Sequence, residues 1–331
     1  MRSANKLGLL GAGMLLLAGC AALERAAHGD WAGATVEVAK SVTTGVKALE
    51  DSKVDENYTP SEEYYIGRGT SAVVIQSYPA ADMSSPKGKA QLVYMNEMGG
   101  YMREATLEVT RDWRKLGEHN SRDEKAIERI NNQSLWKGLH VGLLDSNEVC
   151  AFATPGGFIW VSRGAVLLCA NEDELAAIIC HELGHVVLNH GIDAYREANQ
   201  NQILSSGASK ALFGESGSIG SIFGNMVVGL AEQVITSGYN KDQEFEADNW
   251  GTRALAASGY DPRAMVAMLK RVQEYERLNA EKGKYLSNHP SVEARIEEVE
   301  KVLKTAKLQA NPSASQGAAT RNQRFVDTFK K

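Results

Sequence analysis

The chain has 331 residues, 43% hydrophobic and 23% charged, the proportions of an ordinary folded protein, which exclude disordered, collagen-like and multi-span membrane classes. Lys and Arg number 36 against 41 Asp and Glu, a net charge of −5 without any basic block, so nucleic acid is not an expected partner. With four cysteines and 7 prolines, disulfides cannot be the main scaffold, and the length allows one large domain or two modest ones.

Residues 1–19 have the layout of a secretion signal: Arg2 and Lys6, an apolar stretch from Leu7 to Leu17, then Leu17-Ala18-Gly19-Cys20. The apolar run is shorter than the ~20 residues that span a bilayer as a helix, which argues against a permanent transmembrane anchor. The small-small-Cys ending resembles the lipobox of bacterial lipoproteins, in which the cysteine is diacylated and becomes the first mature residue. Cys20 is therefore the expected lipidation site, tethering the chain to a membrane without spanning it. Ala21, and not Asp, follows the cysteine, which resembles the outer-membrane sorting outcome and predicts a periplasmic protein held on the inner leaflet of the outer membrane. Cys150, Cys169 and Cys180 remain in that oxidising compartment, and at most one pair of them can form a disulfide.

Residues 20–59 read as a lipid-anchored helical spacer ending in a polar run, and Thr59-Pro60-Ser61-Glu62-Glu63 then supplies a helix start with cap, first-turn proline and acids. The main domain is expected over residues 60–310. Helices are predicted at about 88–105 and 121–133, followed by short strands at Leu139–Leu144, Val149–Thr154 and Phe158–Ser162. Asn171 caps a strongly apolar helix that is expected to run to His190, with Gly191 as its C-cap. Further helices are predicted at about 200–212, 225–258 with a break near Ser237-Gly238, 262–280 and 290–308. The Gly/Ser-rich stretch Phe213–Gly224 keeps large apolar residues and reads either as a loop docked on the core or as a lid over a cleft. After Ala310 the composition turns to Asn, Ser, Gln and Gly, and a mobile tail is expected over 311–331.

Inside the apolar helix lies His181-Glu182-Leu183-Gly184-His185, the H-E-x-x-H pattern. Four helical residues turn through about 400°, so both imidazoles face one way and can share a metal ion. Glu182 lies about 100° round the helix, placed to act as general base on a water activated by zinc. A catalytic zinc needs a third protein ligand. His190 does not fit the H-x-x-G-x-x-H continuation, since Leu188 and Gly191 occupy the Gly and last His positions, and a helix-terminal role is expected for it. Gln243-Glu244-Phe245-Glu246-Ala247-Asp248 offers Glu244 and Asp248 on one helical face, with Glu246 far round the other side. Glu244 would complete a His2Glu set around one Zn2+ per chain, and Asp248 would accept the free N–H of a ligand histidine.

The lipobox, Asn147–Gly157 with its Ala151-Phe152-Ala153-Thr154-Pro155-Gly156-Gly157 core, Asn171–His190, Glu244-x-x-x-Asp248 and Ser287-Asn288-His289-Pro290 up to Arg295 together resemble metallopeptidase family forty-eight. This is the gluzincin family of the prenyl-protein protease, the heat-shock protease HtpX and the BepA-like periplasmic lipoprotein peptidases. The resemblance covers residues 60–308. It implies His181, His185 and Glu244 as zinc ligands, Glu182 as base and Asp248 behind a ligand. It also implies His289 as the group that polarises the scissile carbonyl or covers the metal in a closed state, with Tyr239 and Tyr285 as alternatives and a histidine at a helix start as the plain reading. Cys150 departs from the Asn found there in many relatives.

The reading reached is an α+β, mainly α, zincin-like endopeptidase with a small sheet preceding its active-site helix. The strand Val149, Cys150, Ala151, Phe152 and Ala153, with Arg295, is expected to contact substrate, which would bind as an added strand. Extended, unfolded envelope polypeptides are the expected substrates, and the outer-membrane assembly machinery an expected partner. The rival is a periplasmic chaperone or assembly factor with a latent or structural zinc site; an integral prenyl-protein protease lacks its required spans.

Overall fold

A computed structural model describes residues 58–82, 84–115, 135, 137–196, 219–279, 291–309 and 312–331. The expected helices at 121–133 and 200–212, Cys20, His289 and most of the Gly/Ser stretch lie outside these residues. The elements are α1 (Pro60–Ser77), α2 (Pro86–Lys115), β1 (His140–Leu144), β2 (Ala151–Thr154), β3 (Phe158–Ser162), α3 (Arg163–Leu168) and α4 (Glu172–Val187). They continue with α5 (His190–Arg196), α6 (Ile219–Thr236), α7 (Lys241–Ala257), α8 (Ala264–Leu278), α9 (Val292–Thr305), α10 (Pro312–Phe325) and a closing π turn, Val326–Lys330. The chain divides into two units, Met1–Tyr58 with Arg196–Gly229, and Thr59–Tyr195 with Leu230–Lys331. The second carries the sheet and the residues of interest. The described fold is the expected α+β, mainly helical one.

α1 starts where the sequence places it. Thr59 accepts from the Glu62 amide at 3.3 Å and donates its own amide to the Glu62 carboxylate at 2.7 Å, a reciprocal capping box with Pro60 in the first turn. The three strands lie in the order β1-β3-β2, β1 parallel and β2 antiparallel to β3. The two outer edges differ. Along β1 the side chain of Asn96 on α2 donates to the Val141 carbonyl at 2.7 Å and accepts from its amide at 3.0 Å, which satisfies the strand edge. Among the described residues, β2 pairs with no strand on its outer side. The turn between β2 and β3 runs through Gly156 and Gly157, both at positive φ, where other residues are strained. A Cβ on Gly156 would stand 2.4 Å from the Tyr64 Cα, so α1 abuts this turn only because no side chain intervenes.

α4 is buried along its whole length apart from Asp173, and Leu175, Ile179, Cys180 and Leu183 have no exposed surface. It packs on α7, α8 and the sheet. Asn171 caps it, accepting from the Glu174 amide at 2.9 Å, but the helix ends at Val187 and not at His190. Asn189 adopts φ 62°, the left-handed conformation that Asn tolerates, and α5 leaves at 46° to α4. Its side chain donates to Glu63 at 3.0 Å, which holds the bend against α1. Gly191 is thus no C-cap; it lies in α5, where a Cβ would stand 3.0 Å from the Pro155 ring. No single described helix is long and apolar enough to cross a membrane.

The C-terminal residues correct the expectation of a mobile tail over 311–331. They form α10 and the π turn, and Phe325 and Phe329, four residues apart, enter the core with 0% and 7% exposure. Arg324 donates to Glu172 at 2.6 Å and Arg321 to Asp173 at 3.1 Å, so two cations sit against the acids of the first turn of α4. The buried Glu172 also accepts from Tyr94, and from Tyr260 at 2.9 Å. The polar composition from Asn311 to Gly317 hides these late anchors. The three described cysteines are all buried and free.

Candidate active site

Two helices build the site. α4 presents His181, Glu182 and His185, and α7 presents Glu244, Glu246 and Asp248. Asn240 starts α7 in register: its side chain accepts from the Asp242 and Gln243 amides at 3.1 and 3.0 Å, while Gln243 accepts from the Asn240 amide at 3.1 Å. The preceding break, where Gly238 takes φ 60°, is the one expected near Ser237-Gly238.

The Nε2 atoms of His181 and His185 lie 3.1 Å apart, and each is 3.5 Å from one carboxylate oxygen of Glu244. Ligands about 2.0–2.2 Å from a tetrahedral ion stand about 3.3–3.6 Å from one another; both His–Glu distances fall in that range and the His–His distance is slightly shorter, so this two-imidazole, one-carboxylate set comes close to the spacing, and has the chemistry, of a zinc site. The residues present fit the group. The other ring nitrogens are held from behind. His181 Nδ1 lies 2.8 Å from Asp248 Oδ1, and His185 Nδ1 lies 2.8 Å from His190 Nδ1. The His185 ring also stacks on Tyr239, centroids 4.2 Å apart.

The electrostatics follow from burying these charges together. Burial works against protonation of His181, but the Asp248 carboxylate overrides it and raises the imidazole to about 9; a metal ion on Nε2 competes with that proton. Burial dominates at His185 and pushes it well below its usual value, with Glu244 opposing. Asp248 is buried too, yet Arg295 and His181 hold it below the ordinary carboxylate range.

Arg295 departs from expectation. It was expected to contact substrate, but it is 8% exposed, lies against the His181 ring, donates to Asp248 at 2.7 and 2.8 Å and forms an ion pair with Glu244 at 3.0 Å. Two fully buried carboxylates need a buried cation, and Arg295 supplies it. The expected strand is shorter than Val149–Thr154, but Val149 and Cys150, which precede β2, and Ala151, Phe152 and Ala153 within it line an open cleft together with Glu182, His181, His185 and Glu244. Tyr239 lies there as well, its hydroxyl donating to the Ala153 carbonyl at 3.0 Å. His289 and Tyr285 fall outside the described residues.

Sequence reasoning missed two residues. His190, expected at a helix end, is fully buried and joins His185 to Glu246, whose carboxylate lies 3.1 Å from His190 Nε2. The one available signal was Asn189, which permits the turn that swings His190 back toward the candidate ligands.

Residues 120–303, more than half of the chain, match the model of Peptidase family M48. The chain belongs to this peptidase family. Over 165 residues it is 28% identical to the mitochondrial metalloendopeptidase OMA1 of Schizosaccharomyces pombe, a match over 49% of this chain and 46% of that protein. It is 28% identical over 195 residues to the beta-barrel assembly-enhancing protease of Yersinia pestis, over 56% of this chain and 38% of that one. Against the metalloprotease LoiP of Escherichia coli K12 the figures are 25% over 154 residues, 46% of this chain and 58% of the relative. The match therefore spans about half the length of these relatives. The M48 domain here is the zincin-like arrangement of helices and small sheet described above.

Proposed function

We propose that this M48 protein is a zinc-dependent endopeptidase of the bacterial envelope, lipid-anchored through Cys20, that cleaves unfolded or misassembled proteins. One observation carries the reading: the Glu182 carboxylate, the three candidate ligands and the outer edge of β2 line the same cleft.

His181, His185 and Glu244 would hold the ion. Bound there, zinc supplies Lewis acidity to the attacking water and the scissile carbonyl. Glu182 accepts the proton of the attacking water and returns it to the leaving amine. The Ser162 amide donates to the Cys150 carbonyl at 2.9 Å, so the ladder alternation turns the amide and carbonyl of Ala151, and the amide of Ala153, away from β3. An extended substrate can pair with these groups as an added strand. The Ala153 carbonyl is already engaged by Tyr239, which ends the pairing at that residue. Strand addition requires a chain with free backbone groups, which favours unfolded over folded substrates.

The lipobox-like segment ending at Cys20 supports the envelope assignment, and the relatives named as beta-barrel assembly-enhancing proteases support a link to outer-membrane assembly. The test is to incubate the zinc-loaded full chain with an outer-membrane β-barrel protein, unfolded and folded. Cleavage of the unfolded form alone, lost with a chelator and restored by zinc, is expected. Cleavage that survives metal removal, or none by a chain holding one zinc, contradicts the proposal.

A further inference from the structure

His190 has both ring nitrogens engaged inside the protein, Nδ1 at 2.8 Å from His185 Nδ1 and Nε2 at 3.1 Å from Glu246 Oε2. A contact of 2.8 Å between two ring nitrogens accommodates a single proton. A His185 that holds a metal ion through Nε2, the atom that faces His181 and Glu244, keeps its proton on Nδ1 and donates it to His190 Nδ1. His190 then carries its own proton on Nε2 and donates it to the Glu246 carboxylate.

We infer that Glu246 and His190 form a positioning chain that fixes the tautomer and orientation of His185 as a metal ligand. This rests on the zinc-site reading above and adds two residues to it. His181 is held in one step, by Asp248; His185 is held in two, through a second imidazole. Each ligand ring thus ends on a carboxylate of α7, the helix that also supplies Glu244. The bend at Asn189 is what makes the longer chain geometrically available, since Glu246 lies on the face of α7 turned away from Glu244 and Asp248. At its far end Glu246 is 33% exposed, so the chain connects a buried ligand to the protein surface. Tyr239, stacked on the His185 ring, restrains the same ring from its face.

Zn2+ affinity of the full chain, by competition with a chromophoric chelator, and the absorption spectrum of the Co2+ form test this without reference to activity. His190→Leu fills the space without the hydrogen bonds and should weaken Zn2+ binding about 10–100-fold, with a shifted Co2+ spectrum. His190→Gln can accept from His185 and donate to Glu246, and should stay within roughly threefold of wild type with an unshifted spectrum. Should His190→Leu fail to fold, Glu246→Ala leaves the buried ring in place and should weaken binding about tenfold. Unchanged affinity and spectrum in His190→Leu, or in Glu246→Ala, overturn the positioning chain. The zinc-site reading fails separately, if wild type binds no Zn2+ or if Glu244→Gln binds it as tightly as wild type.

Discussion

Gly184, inside the H-E-x-x-H segment, faces the backbone of Ala247: a Cβ placed on it would stand 3.0 Å from the Ala247 carbonyl oxygen and 3.1 Å from its Cα. The two helices that carry the candidate ligands cross at a point where even a Cβ would be in tight contact, and a larger side chain would push them apart. Their separation sets how far Glu244 lies from the two histidines. Gly184→Val should therefore cost about 1–3 kcal/mol by overpacking and weaken zinc binding, because α7 must retreat with Glu244 upon it. Urea unfolding and chelator competition measure the two effects. Full stability and full zinc affinity in this variant would show that the crossing does not set the site.

Arg295 contacts both Glu244 and Asp248, as does the His181 imidazole. Its removal takes the guanidinium counter-charge from two buried carboxylates and leaves them only the histidine. Arg295→Leu is expected to lower the free energy of unfolding by about 3–5 kcal/mol, read from urea melts of the zinc-free chain. A loss below about 1 kcal/mol, the range of exposed ion pairs, would contradict the placement of Arg295 against buried Glu244 and Asp248.

Phe325 is fully buried near the end of a segment whose composition reads as disordered. Phe325→Ala should cost about 3–5 kcal/mol by opening a cavity in the core. A mobile tail would tolerate the change without measurable effect, so the same urea melt distinguishes the two.

Burial raises the thiols of Cys150 and Cys169 to about 12, and that of Cys180 is raised as well. The thiolate is the reactive form, and burial keeps these thiols protonated at pH 8. Iodoacetamide labelling of these three cysteines, followed by peptide mass spectrometry, should be slow in the native chain and fast in urea. Rapid native labelling, or a disulfide between any two, would contradict the buried free thiols.

Much of this geometry is legible in the sequence because helical spacing is local. The four-residue separations of His181 from His185 and of Glu244 from Asp248 put each pair on one face, and the structure brings those faces together. Strand and cap positions were equally local: Thr59, Asn171 and the turn at Pro155-Gly156-Gly157 all follow from residue chemistry. What escaped depends on tertiary context. A positive φ at Asn189 reversed the meaning of His190 and Glu246, which the helical wheel had separated. Arg295 reads as a substrate residue until the two acids beside it are seen to be buried. The anchors Phe325 and Phe329 come after a polar stretch, and averaging over the segment concealed them.

The most direct measurement compares the full chain with Glu182→Gln, both carrying one zinc, for cleavage of an unfolded outer-membrane protein. Glu182 lines the cleft beside the candidate ligands, and Gln keeps its size but cannot take a proton from water. The wild-type chain should cut and the variant should lose at least about a hundredfold in rate, with zinc content unchanged. Equal cleavage by both chains, or none by zinc-loaded wild type, would contradict Glu182 as the base of a zinc peptidase.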